Sequence, residues 1–117
     1  MPTPVELRLK RAERRLEVTF DDGSAFAFPA ELLRVESPSA EVQGHSPAER
    51  RIVPGRRNVG ITAIEPVGNY AVRLTFDDGH DTGIYSWEWL HRLGLEQDRR
   101  WRDYLAELAA RGLNRDP

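Results

Sequence analysis

The sequence predicts an α+β fold in which antiparallel strands dominate and a last amphipathic helix packs on a sheet. Three observations predict it. The tetrapeptide Phe-Asp-Asp-Gly occurs twice, at residues 20–23 and 76–79, each time closing an alternating apolar and polar run. Each copy leads into a further short strand pattern and then into the similar stretches "FPAELLR" and "YSWEWLH". An apolar stripe at helical spacing follows the second copy.

A first strand is expected over residues 5–9, and the alternation Leu16, Val18, Phe20 marks the second as half-buried. Gly23 supplies the positive φ that a tight hairpin turn demands, and the third strand, residues 24–28, puts Phe26 and Phe28 on one face. "FPAELLR" (28–34) begins a short helix, with Pro29 at its first position and Glu31 near the positive end of the dipole. The second copy repeats this order: strand 61–64, strand 72–76, a turn at Gly79, strand 80–85, then a helix start with Ser86 as N-cap and Glu88 in the first turn. Its last strand is one residue longer, and the extra residue is assigned to a β-bulge at Gly83. Gly94 is expected to stop this helix. A separate helix over residues 97–111 follows, capped by Asp98 and ended by Gly112, with Trp101, Tyr104, Leu105 and Leu108 as its stripe. The expected core is Phe20, Phe26, Phe28, Leu33, Leu74, Phe76, Trp89, Leu90, Leu105 and Leu108.

These elements make one domain: copy one at about 5–34, a connection rich in Ser, Pro, Gly and Arg at about 37–60, copy two at about 61–94, and the last helix. A connection of that length in a compact domain is functional or mobile. Hydrophobic content of 39% beside 31% charged residues places the chain in the ordinary soluble class. No apolar run approaches the roughly 18 residues of a membrane span, and no signal-peptide core opens the chain, so a cytoplasmic protein without a membrane partner is expected. The absence of cysteine excludes disulfides, thiolate nucleophiles and thiolate ligation of zinc or an iron–sulfur cluster. A net charge of −2 gives no global attraction to nucleic acid.

The repeat acts as its own control, because positions shared by both copies serve folding and additions in one copy are candidates for function. On this comparison His80 stands where Ser24 stands, Thr82 where Phe26 stands, and Trp87 where Ala30 stands. Trp87 and Trp89 lie about 200° apart on a helix and are not expected to face one core. Trp87 is therefore the candidate for a partly exposed binding anchor, with packing under the connection as the alternative. His80 and Asp81 are strand neighbours that point to opposite faces, which denies them a base–orienter pairing. His45, His80 and His91 lack metal-ligand spacing. Arg50, Arg51, Arg56 and Arg57 gather on the connection, where they serve either an anionic partner surface or solubility. No aromatic is interleaved among them, so base stacking has no support.

The stretch "IEPVGNYAVRLTFDDGHDTGIYSWEWL" (64–90) closely resembles the gamma-butyrobetaine hydroxylase-like N-terminal domain family, a domain of unknown function. The similarity runs from "LRL" near residue 7 through "FPAELLR" to "YSWEWL". In larger members the domain precedes an iron(II)/2-oxoglutarate-dependent oxygenase, and in others it is joined to a P-loop ATPase of the iron–sulfur carrier kind. In the hydroxylase the resemblance implies a structural zinc held by three Cys and one His. The corresponding positions here are Ser37, Ser39, Val42 and His80, so one ligand of the set is retained and no metal is expected. The oxygenase domain with its iron ligands is not part of this sequence.

These features lead to the expectation of a non-enzymatic binding or adaptor domain without a cofactor. It would present His80, Asp81, Thr82, Trp87 and the four connection arginines to a protein partner, and the fusions hint at iron–sulfur or iron-enzyme maturation. The alternative is a small-ligand or metal-dependent protein that uses His80 with Asp77, Asp78 or Asp81, a donor set suited to iron(II) or manganese. A further alternative, nucleic-acid binding through Arg50 to Arg57, is disfavoured by the net charge.

Overall fold

The computed structural model describes residues 2–117, and the element order follows the repeat. Copy one contributes β1 (Pro4–Lys10), β2 (Arg15–Phe20), β3 (Ala25–Pro29) and the short helix α1 (Ala30–Val35). The connection holds α2 (Ala40–Gln43) and a 3-10 turn at Pro47–Glu49. Copy two contributes β4 (Ile61–Val67), β5 (Ala71–Phe76), β6 (Gly83–Ser86) and the long helix α3 (Trp87–Ala110). The strands form two antiparallel three-stranded sheets, β1-β2-β3 and β4-β5-β6, so the fold is α+β as the patterning predicts.

Period-2 alternation places Leu16, Val18 and Phe20 of β2 and Val72, Leu74 and Phe76 of β5 in one core. Phe28, Tyr85, Leu32, Leu33, Leu90 and Leu93 complete it, so the inner faces of both sheets and the helix starts share a single apolar interior. The two Asp-Asp-Gly turns are the same structure. Gly23 has φ 87° and Gly79 φ 90°, and each returns its N–H at 3.1 Å to the carbonyl of the Phe three residues before.

The structure corrects several expectations. Gly94 does not end a helix: α3 runs unbroken through it, and Asp98 lies inside rather than at a cap. The reason is packing, since the ring of Phe26 lies against Gly94 where a Cβ would stand. The helix ends later, at a Schellman motif in which Gly112 (φ 66°) lets Leu113 N–H reach the Leu108 carbonyl at 2.9 Å. Gly83 is not a bulge either. It pairs with Leu74 in an unbroken ladder, and its lack of a Cβ makes room for Ser37 Oγ and the Tyr85 ring. The additional residue of copy two falls upstream, at 81–82, so Gly83 and not Thr82 occupies the place of Phe26. Pro29 caps α1 rather than opening it. Leu105 is 38% exposed, because the buried stripe of this part of α3 is Tyr104 and Leu108 against Val35.

Trp87 and Trp89 both pack, half-buried, against the same main core, although they project about 200° apart. Trp87 sits at the first turn beside β6, where its indole N–H donates to the Asn69 carbonyl at 2.8 Å. Trp89 lies under Arg100, whose guanidinium stacks 5.0 Å above its ring.

The two copies also contact each other reciprocally. Arg34 and His91 are equivalent in the repeat, as are Asp22 and Asp78. His91 of copy two meets Asp22 of copy one at 3.0 Å, and Arg34 of copy one meets Asp78 of copy two at 2.7 Å. Three residues further on, Gly94 receives Phe26 while Ser37 meets Gly83. The halves therefore relate as the subunits of a two-fold dimer do, each offering the same patch to the other.

Candidate functional site

The symmetry breaks where the connection folds over the second turn. Ser39 N-caps α2, its Oγ accepting the Glu41 N–H at 3.2 Å, and the same hydroxyl lies 2.6 Å from Thr82 Oγ1. Ser37 Oγ lies 2.9 Å from His80 Nε2, and His80 Nδ1 lies 3.1 Å from the Glu41 carboxylate. A carboxylate only accepts, so Nδ1 carries the proton and the bare Nε2 accepts the Ser37 hydroxyl. Burial, and next the Arg34 charge, hold the His80 pKa below its ordinary value, against the pull of Glu41.

Ser, His and Glu in this order resemble a hydrolytic triad. Access decides against that reading. Ser37 is 0% exposed, its Oγ is packed against Gly83 and also accepts the Ser39 N–H at 3.2 Å. No acyl group can reach it. The triad-like chain is a hydrogen-bond network, buried at Ser37 and His80 and exposed at Glu41, that pins the connection to the hairpin.

The fold does bring together the positions that the family resemblance pairs with a zinc site, since Ser37 and Ser39 gather beside His80 and Thr82. Their chemistry does not fit the ion. Two neutral hydroxyls replace thiolates, Val42 offers no donor atom, and the imidazole lone pair is taken by Ser37. The carboxylates considered as alternative ligands do not converge on His80. Asp78 Oδ2 is held at 2.7 Å by both Arg34 and Arg56, and its Oδ1 accepts the His80 backbone N–H at 3.1 Å. Asp77 and Asp81 are exposed, and the described residues contain no group of three or more His, Cys, Asp or Glu able to hold a metal.

The four connection arginines do not share one patch. Arg50 bonds the buried carboxylate of Glu36 at 2.9 Å, which Arg100 approaches from the other side at 3.2 Å. Arg57 pairs with Asp116 at 2.6 Å, and Arg56 with Asp78. Arg51 is exposed, and among the described residues only its backbone N–H is engaged, on the Val42 carbonyl at 2.7 Å. Of the expected contact residues, His80 is buried, Trp87 is half-buried, and Asp81 and Thr82 are exposed.

Sequence reasoning missed the most telling residue. Arg34 ends α1, a helix buried along its whole length, and its side chain is 10% exposed. Its Nε holds Asp78, while Nη1 is sealed from solvent without a partner. The available signal was the repeat itself, because Arg34 replaces the His91 of the other copy. Arg34 joins Arg51, Arg56 and His80 around a cavity of about 840 Å³ whose apolar wall includes Ile52 and Val53. That wall is fixed from behind, where Tyr104 donates its hydroxyl to the Val53 carbonyl at 2.6 Å.

The sequence matches the family described as gamma-butyrobetaine hydroxylase-like, N-terminal, over residues 7–91. The chain belongs to this family. Two solution structures determined by NMR are similar to it. One is 45% identical with a TM-score of 0.87, covering 100% of this chain and 92% of that one; the other is 52% identical with a TM-score of 0.85, covering 100% and 87%. A crystal structure of a protein of unknown function from Acidithiobacillus ferrooxidans, of the DUF971 family, is 41% identical with a TM-score of 0.67 over 79% of this chain and 92% of that one. No curated protein matches. The family match ends at residue 91, so most of α3 and the tail that packs on α1 lie beyond it.

Proposed function

We propose that this member of the family is a non-catalytic binding module that engages a protein partner through the cavity between the connection and the second Asp-Asp-Gly turn. One observation carries the reading: the cavity walls are pre-organised by the Ser37–His80–Glu41 and Ser39–Thr82 bonds, while the hydroxyls that could react are spent inside that network. A pre-formed wall avoids the ordering cost of binding. Trp87 is no longer the favoured anchor, because its indole is bonded within its own chain. The fusions implied by the resemblance make iron-handling enzymes, and their maturation, the first candidates for partner.

Affinity purification from the host with three baits tests this: the parent chain, Arg51→Glu and Trp87→Ala. A partner retained by the parent and by Trp87→Ala, but lost from Arg51→Glu, is the expected result. Retention of the partner by Arg51→Glu with loss from Trp87→Ala places the binding face elsewhere and refutes the reading.

A further inference from the structure

We infer that the cavity at Arg34, Arg51 and Arg56 receives a carboxylate carried beside an apolar side chain, as at the C-terminus or an acidic residue of an extended peptide; this rests on the binding role proposed above and names the partner's chemistry. Arg34 and Arg56 both spend their Nε on the single oxygen Asp78 Oδ2. Arg56 Nη1 takes the Pro54 carbonyl at 3.0 Å, Arg34 Nη1 is sealed from the cavity as it is from solvent, and the exposed Arg51 guanidinium has no bonded carboxylate among the described residues. Arg51 therefore presents guanidinium donors without a partner at the cavity, and a carboxylate of the ligand can bond them.

The acceptors already present each have one oxygen engaged. Glu41 is bonded by His80, and Glu49 by the His45 backbone N–H at 2.8 Å. These two carboxylates also line the cavity. With Asp78 they balance the three arginines, so the cavity carries no surplus charge to favour a dianion. The remaining lining points the same way. Ile52, Val53, Val42 and Pro54 form an apolar wall next to the arginines, which matches an aliphatic side chain adjacent to the charge. About 840 Å³ is room for several residues of a peptide and more than an inorganic anion fills.

Titration of ¹⁵N-labelled protein with acetylated tetrapeptides ending in Leu or Val, as free acids and as amides, tests this, with inorganic phosphate as a third probe. The free acids should shift the Arg34 and Arg56 Nε–H signals and the amides of residues 51–53. The peptide amides should bind at least tenfold more weakly, and Arg51→Glu should weaken the free acids by a similar factor without moving signals in β2 or β5. Equal binding of acids and amides, shifts confined to another face, no binding of any peptide, or phosphate binding more tightly than the peptides would each overturn the assignment. The two readings fail separately. If the peptides show no carboxylate preference while Arg51→Glu still loses its partner in extract, only the carboxylate assignment falls. If partner capture is indifferent to Arg51→Glu, the cavity is not the binding face.

Discussion

Asp78→Asn removes the charge from a carboxylate oxygen gripped at 2.7 Å by two guanidiniums, Arg34 and Arg56. The Arg34 side chain is 10% exposed and that of Asp78 19%, so the change leaves a buried cation poorly paired. Breaking a fully buried pair costs about 3–5 kcal/mol, and the partial exposure of Asp78 and Arg56 lowers the expected loss to about 2–3 kcal/mol. With a urea m-value of about 1.5 kcal/mol/M, the unfolding midpoint falls by roughly 1.3–2 M. The repeat supplies a matched control. Asp22 occupies the same place in the same turn and meets His91 at 3.0 Å, but its side chain is 40% exposed and solvent screens the pair. Asp22→Asn should lower the midpoint by less than Asp78→Asn, because the charge it removes is held at an exposed turn by the Ser24 N–H and hydroxyl rather than by a buried guanidinium. Acid unfolding gives a second reading. Burial raises the Asp78 pKa, but the His80 N–H, Arg34 and Arg56 outweigh it and hold the group below the usual carboxylate range. Its stabilisation is thus complete above the ordinary carboxylate pKa and lost as the pH falls through the lower folded value, and Asp78→Asn should remove that part of the acid limb. Equal losses at the two turns, or no loss at either, would refute the burial argument.

His80 has a folded pKa below its unfolded value, so protonation favours the unfolded chain: its contribution is intact above about pH 6.5 and declines as the pH falls toward the folded value. Thermal unfolding of the parent from pH 7.5 to 5 should show this decline, and His80→Gln should flatten it; an identical slope in both proteins would show that His80 does not cause it. Gly94→Ala sets helix propensity, worth up to about 1 kcal/mol in favour of Ala, against overlap of the new Cβ with the Phe26 ring, worth about 1–3 kcal/mol. The overlap should win, and a rise in the thermal midpoint of Gly94→Ala would show that Phe26 moves aside freely.

The parts of this fold that were legible are those written in local sequence. Alternation in β2 and β5, the positive-φ Gly in each turn, and Ser86 as an N-cap depend on neighbours within a few residues. The errors share an opposite cause. Gly94 and Gly83 look like punctuation, yet each answers a side chain from the other half of the molecule, Phe26 and Ser37. Nothing near either glycine in sequence announces that partner. The candidate site was half legible for the same reason. The repeat singled out His80, but Arg34 carries no local signal, because its burial depends on Asp78 at 44 residues' separation. Trp87 is partly exposed as expected, but it shares a core with Trp89 because at the strand junction the core edge reaches both flanks of the first turn.

The reciprocal contacts also determine which halves can recognise each other. Phe26 fits Gly94, and Gly83 fits Ser37. If two first copies met through the same patch, the Phe26 ring would face Ser37, where a side chain stands in its way. If two second copies met, Gly83 would face Gly94 and leave a void. Large has been exchanged for small across the pseudo-axis, so like no longer fits like and each half accepts only its complement. This sorting guards a duplicated fold against its characteristic hazard, the wrong pairing of similar halves during folding or between neighbouring chains. Restoring identity between the copies at these four positions would erase the distinction that keeps the chain folding on itself.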